Sequence, residues 1–180
     1  MKILAFDIAT RTGVAFGETG GDPRAWTVEL RRRATKANQA EGYAEMLSLA
    51  AGSIEELDPD LVVGEAAIGG KQANQTLIKL VGCLEGVAYD RRVNCKIIHN
   101  ATIRKHFLGK DYQKRDFPHL SAGAARAAIK DLVIHRCRIL GWGVEDDNQA
   151  DACALWDYAC AQFGNAQVQP LGELFAEGRA

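Results

Sequence analysis

The sequence has no apolar run long enough to cross a bilayer. Apolar stretches such as residues 3–6 and 61–63 fall far short of the roughly 20 residues that a membrane-spanning helix needs. Met1 and Lys2 lead directly into a strand-like segment, without the apolar region and cleavage site of a signal peptide. We therefore expect a cytoplasmic protein that makes no use of a membrane.

Closely paired cysteines are also missing. The five cysteines are an odd number, none lies in a Cys-x-x-Cys pair, and no histidine lies at zinc-ligand spacing from a cysteine pair. We therefore expect neither a disulfide framework nor a zinc site, but free thiols buried in a reducing cytoplasm. The cysteines are Cys83, Cys95, Cys137, Cys153 and Cys160.

An excess of charge of one sign is absent as well, because the net charge is only −1. The distribution is nevertheless uneven. Residues 91–115 contain eight basic side chains and one acid, and residues 31–36 contain four more basic side chains. A charge run is usually a solvated face, but a basic cluster is also typical of a nucleic-acid-binding surface. Charge alone leaves both interpretations open.

The first 30 residues predict an antiparallel meander. Residues 2–8 are an apolar run rich in strand formers, and further strands are predicted at residues 14–16 and 25–30. Turns at residues 10–13 and 20–23 separate the three strands.

From residue 38 onward, helical periodicity alternates with short apolar strands. Strands are predicted at residues 61–65 and 95–98, and helices at residues 38–57, 74–90, 102–108, 122–140 and 148–163. This order predicts an α/β fold with a mixed five-stranded sheet, three antiparallel and then two parallel strands, flanked by helices. The length suits one domain, which we place at residues 1–163, followed by a C-terminal tail at residues 164–180.

Three carboxylates stand where burial would favour an apolar side chain. Asp7 lies in the first apolar strand, Glu65 ends the Leu-Val-Val strand, and Asp151 lies on the apolar side of the last helix. The sheet order places the first strand beside the first parallel strand, and ligands bind beyond the carboxyl ends of such strands. We therefore expect the three acids to share one pocket.

Clustered carboxylates repel each other unless a cation lies between them. Hard oxygen ligands favour Mg²⁺ or Mn²⁺ over zinc. Two such ions can activate a water molecule and stabilise the leaving oxygen of a phosphodiester. The acids therefore indicate a metal-dependent nuclease, although each one taken alone is equally well a surface cap or half of a salt bridge.

Four segments resemble RuvC-type Holliday junction resolvases, which belong to the RNase H-like superfamily. Residues 3–15 resemble their first catalytic motif and residues 62–65 their second. Residues 147–152 resemble their last acidic motif, in the form common among phage and prophage members. Residues 98–110 resemble the segment after their final strand, so the likeness extends over nearly the whole chain.

The resemblance implies an RNase H-like fold and an Mg²⁺- or Mn²⁺-dependent endodeoxyribonuclease with two ions per site. Such a protein would be a homodimer that resolves four-way DNA junctions by paired nicks, in a bacterium or a phage-infected host cell. Asp7, Glu65 and Asp151 would be catalytic metal ligands. Asn148 stands where the family often has a further Asp or His; its carbonyl oxygen can ligate a metal, but it cannot act as a base. Asp147 is the substitute ligand.

The same resemblance assigns the basic segment to DNA phosphates, and the helix at residues 74–90 to the dimer interface, where Gly82 and Gly86 would allow close contact. A helicase partner is left open. The expected DNA-binding residues are Lys71, Arg104, Lys105, Lys110, Lys114 and Arg115.

Three other functions share parts of this sequence pattern. An actin-like ATPase or sugar kinase also begins with an Asp-containing strand, but it needs two such domains and a second phosphate loop. A broader RNase H-like nuclease, acting on branched DNA or RNA–DNA hybrids, would use the same metal chemistry. A catalytically silent DNA-binding module on the same fold is the third, since Asn148 replaces an acid.

Overall fold

Five strands form a single mixed sheet in the computed structural model, which describes residues 1–30, 39–67 and 74–164. The strands are β1 (Lys2–Asp7), β2 (Arg11–Glu18), β3 (Arg24–Glu29), β4 (Leu61–Glu65) and β5 (Asn94–Ile98). They lie in the order β3-β2-β1-β4-β5. The pairs β1–β2 and β2–β3 are antiparallel, whereas β1–β4 and β4–β5 are parallel. The predicted α/β fold with its mixed sheet is confirmed.

The helices follow the predicted order with small changes at their ends. They are α1 (Gln39–Leu57), α2 (Gln75–Asp90), α3 (Asn100–Leu108), α4 (Ala122–Ile139) and α5 (Asp147–Phe163). Helix α3 begins at Asn100, two residues before the predicted start, and the segment between α3 and α4 contains a 3₁₀ turn at Lys114–Asp116.

Side-chain alternation along β1 divides the core into two layers. Ile3 and Ala5 belong to the cluster that contains α3, α4 and α5, whereas Leu4 and Phe6 belong to the cluster that contains α1 and α2. Successive strand residues point to opposite faces. Asp7 therefore continues the row of Ile3 and Ala5, on the face that α5 covers.

Helix α5 lies very close to β2 because a glycine leaves room for it. A Cβ atom added to Gly13 would lie 2.0 Å from the backbone carbonyl oxygen of Asn148. Small residues on α5 complete the close fit, since Ala150, Ala152 and Cys153 are fully buried. The first turn of α5 is thereby fixed against the sheet.

Asp146 holds the start of α5 through its side chain. It accepts a hydrogen bond from the backbone N–H of Gln149 at 2.9 Å, as an N-cap does. The hydroxyl of Thr27 on β3 donates to the same carboxylate at 2.9 Å, and a guanidinium nitrogen of Arg11 lies 3.2 Å away. The helix start is thus tied to both β2 and β3.

The cysteines, all of which lie among the described residues, form no disulfide bonds. All five cysteines are free thiols, with Cys137 and Cys153 buried and the others half-buried. No helix among the described residues is long and apolar enough to cross a membrane. The predicted tail at 164–180 lies almost wholly outside the described residues, as do the basic run at 31–36 and Lys71.

Candidate active site

The parallel pairing of β1 with β4 brings Asp7 beside Glu65. The register pairs Phe6 with Gly64, so Asp7 and Glu65 are the next positions along the two strands. Both residues continue the rows that face α5, since Leu61 and Val63 lie in the same core layer as Ile3 and Ala5. Their side chains are hydrogen-bonded to each other.

Helix α5 carries the third acid to the same place. Asp151 lies one turn into α5, half-buried, and it interacts electrostatically with both Asp7 and Glu65. The structure therefore brings together the three carboxylates that the sequence singled out. Their catalytic and metal-binding roles stay a prediction.

Burial and mutual repulsion keep these acids hard to ionise in the absence of a cation. Burial, followed by the charges of Asp151 and Glu65, raises the pKa of Asp7 well above its usual value. Burial and then the charge of Glu65 raise the pKa of Asp151 to about 6. Burial also raises the pKa of Glu65. A group of acids with raised pKa values in a cleft is a feature of functional sites.

Two residues on α3 partly compensate this negative charge. The side chain of Asn100 hydrogen-bonds to Glu65, and the guanidinium of Arg104, one turn later, lowers the pKa values of Glu65 and Asp151. The Nε atom of Arg104 is buried and has no hydrogen-bond partner among the described residues. Arg104 was predicted to bind DNA, whereas Asn100 had no predicted role. The signal for Asn100 was its position directly after β5, at the same sheet edge as Asp7 and Glu65.

Lys130 on α4 is a second residue that sequence analysis missed. Its ammonium group forms an ion pair with Asp147 and interacts with Asp7 and Asp151. That ion pair raises the pKa of Lys130 and lowers the pKa of Asp147. Lys130 is exposed and follows Ile129, which lies on the stripe of α4 that is buried against α5, so no pattern in the sequence marked it.

The two remaining predicted ligands lie in the first turn of α5. Asp147 is engaged by Lys130, so it does not face the other acids freely. Asn148 is half-buried, and its backbone carbonyl group packs against Gly13. It precedes Asp151 by three residues, a spacing that places both on one side of a helix.

A cleft of about 520 Å³ opens beside Glu65. Arg104 and Asn100 line one part of it, and Asp111 and Gln113 of the segment between α3 and α4 line another. A cleft lined by both a carboxylate and a guanidinium would suit a phosphate group if a cation neutralised the carboxylate.

The other predicted DNA-binding residues fall into two groups: two that contact other residues of the protein, and two that are exposed. Lys110 forms an ion pair with Asp116, and the ammonium of Lys114 donates to the carbonyl oxygen of Phe117 at 3.2 Å. These two lysines therefore stabilise the segment between α3 and α4. Lys105 and Arg115 are exposed.

The donor set fits a hard divalent cation by its chemistry, since Asp7, Glu65 and Asp151 offer only carboxylate oxygens. Their present arrangement is not yet a metal cage: across residues 1–30, 39–67 and 74–164, no three His, Cys, Asp or Glu side chains are grouped to hold an ion. One reason is that Asp7 and Glu65 interact with each other, so part of their oxygen-ligand capacity is already in use.

No protein-family model matches the sequence, and no curated protein matches it. Solved structures do match. The structure of Thermus thermophilus RuvC aligns with a TM-score of 0.63 and 14% identity, covering 89% of this chain and 96% of that one. T. thermophilus RuvC in complex with a Holliday junction substrate aligns with a TM-score of 0.65 and 15% identity, covering 95% and 99%.

The yeast mitochondrial Holliday junction resolvase Ydc2 aligns with a TM-score of 0.52 and 11% identity, over 91% of this chain and 81% of that one. At such low identities the likeness shows the fold. Together with the strand order β3-β2-β1-β4-β5, it shows that this chain has the RNase H-like fold of RuvC-type resolvases.

Proposed function

We propose that the protein is a divalent-metal-dependent endonuclease that resolves four-way DNA junctions by paired nicks. The observation that carries this proposal is the convergence of Asp7, Glu65 and Asp151 beside a cleft lined by Arg104. The likeness to a RuvC structure determined with a Holliday junction supports the choice of substrate.

The acids would hold Mg²⁺ or Mn²⁺, which supplies activation of a water molecule and charge stabilisation at the phosphate. Asn100 orients Glu65 through its hydrogen bond. Arg104 lines the cleft, and its guanidinium would bind a phosphate oxygen there. Lys105 and Arg115 are exposed and would contact the DNA backbone without reading its sequence.

A homodimer would place two such sites on two opposed strands of a junction. Helix α2 offers the surface for it. Cβ atoms added to Gly82 and Gly86 meet nothing within 4 Å, and Ile78 is 40% exposed on the same helix. An exposed helix face with two glycines suits close contact with a second copy.

The test uses a labelled four-way junction, a matched linear duplex and an RNA–DNA hybrid, each with Mg²⁺ or with EDTA. Paired Mg²⁺-dependent nicks in the junction alone support the proposal. Cleavage of the hybrid or of many branched forms would replace it with a broader nuclease. Junction binding without cleavage would replace it with a silent DNA-binding module.

A further inference from the structure

A lysine ammonium group lies beside the carboxylate cluster, in contact with Asp147. Lys130 pairs with Asp147 and also attracts Asp7, Glu65 and Asp151, which belong to β1, β4 and α5. Lys130 itself belongs to α4, so its helix is placed to deliver a positive charge to acids that come from three other elements.

The charges around the cluster do not balance. Four acids, Asp7, Glu65, Asp147 and Asp151, face Arg104 and Lys130. A third cation, Arg11, also acts on Asp147, but it is already paired with Asp146. If every acid is ionised, the cluster lacks two positive charges. Lys130 is therefore a partial substitute for the charge that a divalent ion would supply in full.

Lys130 reaches the acids from the solvent side. Its side chain is 46% exposed, and that of Asp147 is 31% exposed. The ammonium group can therefore leave the cluster by rotation of its own flexible side chain, without opening the core. Arg104 differs, because its Nε atom is buried.

We propose that Lys130 is the resident counter-ion of the metal-free cluster, and that a divalent cation displaces it on binding. This inference rests on the proposed function, because it takes the cluster as the metal site. Two cations near the same carboxylates repel each other. Lys130 therefore weakens metal binding, and metal binding weakens the Lys130–Asp147 pair by the same factor. The lysine keeps the folded protein stable when no metal is bound.

The experiment measures Mn²⁺ affinity by calorimetry or paramagnetic resonance on the full chain, without DNA. Lys130→Met removes the charge and keeps the length of the side chain, and Lys130→Gln repeats the test with a polar residue. We expect both variants to bind Mn²⁺ at least about fivefold more tightly than the wild type, the lower end of a typical coupling. Their melting temperature in EDTA should fall, and Mn²⁺ should raise it by more than in the wild type.

Two controls separate charge from shape. Lys130→Arg keeps the charge and should retain wild-type affinity. Arg138→Met removes an exposed cation from the same helix and should leave Mn²⁺ affinity unchanged. Tighter binding in Lys130→Arg or in Arg138→Met would overturn the inference.

The outcomes also distinguish this inference from the proposed function. Wild-type Mn²⁺ binding with no change in Lys130→Met and Lys130→Gln overturns the inference alone. A wild-type protein that binds no Mn²⁺ overturns the inference together with the metal-dependent function. Tighter binding in both variants, with a lower melting temperature in EDTA, supports the inference.

Discussion

Asp7 and Glu65 occupy adjacent positions on neighbouring parallel strands and share a hydrogen bond. Burial raises the pKa values of both acids, so each holds a proton more tightly than it would in water. A divalent cation would oppose this effect, since metal ligands bind in the deprotonated form.

Asp7→Asn should abolish cleavage while the junction still binds. The amide keeps a hydrogen-bond donor toward Glu65 but removes one anionic metal ligand, so we expect the cleavage rate to fall by at least about 100-fold. Single-turnover cleavage and a gel-shift assay measure the two effects. Asp131→Asn, an exposed acid on α4, is the matched control. Lost binding in Asp7→Asn would indicate a structural role instead.

The stability of the metal-free protein should fall as the pH rises toward about 6. Burial and the charge of Glu65 raise the folded-state pKa of Asp151 from 3.8 to about 6, so the folded state holds a proton that the unfolded chain has released. Stability falls with pH wherever the folded state binds more protons. Asp7 shifts in the same direction.

Melting temperatures in EDTA, measured on both sides of about pH 6, test this expectation against Asp151→Asn. The variant cannot titrate at this position, so its melting temperature should depend less on pH. Equal pH dependence in both proteins would contradict the raised pKa.

Gly13→Ala should destabilise the protein and slow cleavage. The added Cβ would lie 2.0 Å from the carbonyl oxygen of Asn148, so the start of α5 must move and carry Asp151 with it. Overpacking of this kind costs about 1–3 kcal/mol. Gly52→Ala in α1, where a Cβ meets nothing within 4 Å, is the control and should stabilise slightly. Urea unfolding measures the stability of both variants. An equal change in the free energy of unfolding in the two would refute the close contact at Gly13.

Arg104→Ala should weaken junction binding and reduce the slope of log affinity against log salt by about 1. The reason is the loss of the phosphate contact that we propose for Arg104 in the cleft. Arg24→Ala, on β3 at the opposite edge of the sheet, is the control. An unchanged salt slope in Arg104→Ala would place the DNA elsewhere.

Asp146→Ala should lower the free energy of unfolding by about 1–2 kcal/mol, because α5 loses its N-cap. The Thr27 hydroxyl and Arg11 also lose their acceptor. Denaturant unfolding, with Ser121→Ala at the start of α4 for comparison, checks the size. A smaller loss in Asp146→Ala than in Ser121→Ala would show that the contacts to β2 and β3 add nothing.

Much of the fold follows from local patterns. The alternation at residues 2–8 and the helical stripe of α1 depend on neighbours in the chain, so periodicity predicts them. The three acids were also visible, because each interrupts an apolar pattern. The start of α3 was placed two residues late, since His99 offers no side-chain cap and leaves no clear start signal.

The sequence by itself determined the order of strands and helices, and the positions of Asp7, Glu65 and Asp151 within them. Only the tertiary structure decided that Asn100 bonds to Glu65 and that Lys130 pairs with Asp147. These contacts join residues of different elements, and their existence depends on how the elements pack. A charged residue on a half-exposed helix face carries no local mark of its partner, so no spacing rule could have identified Lys130.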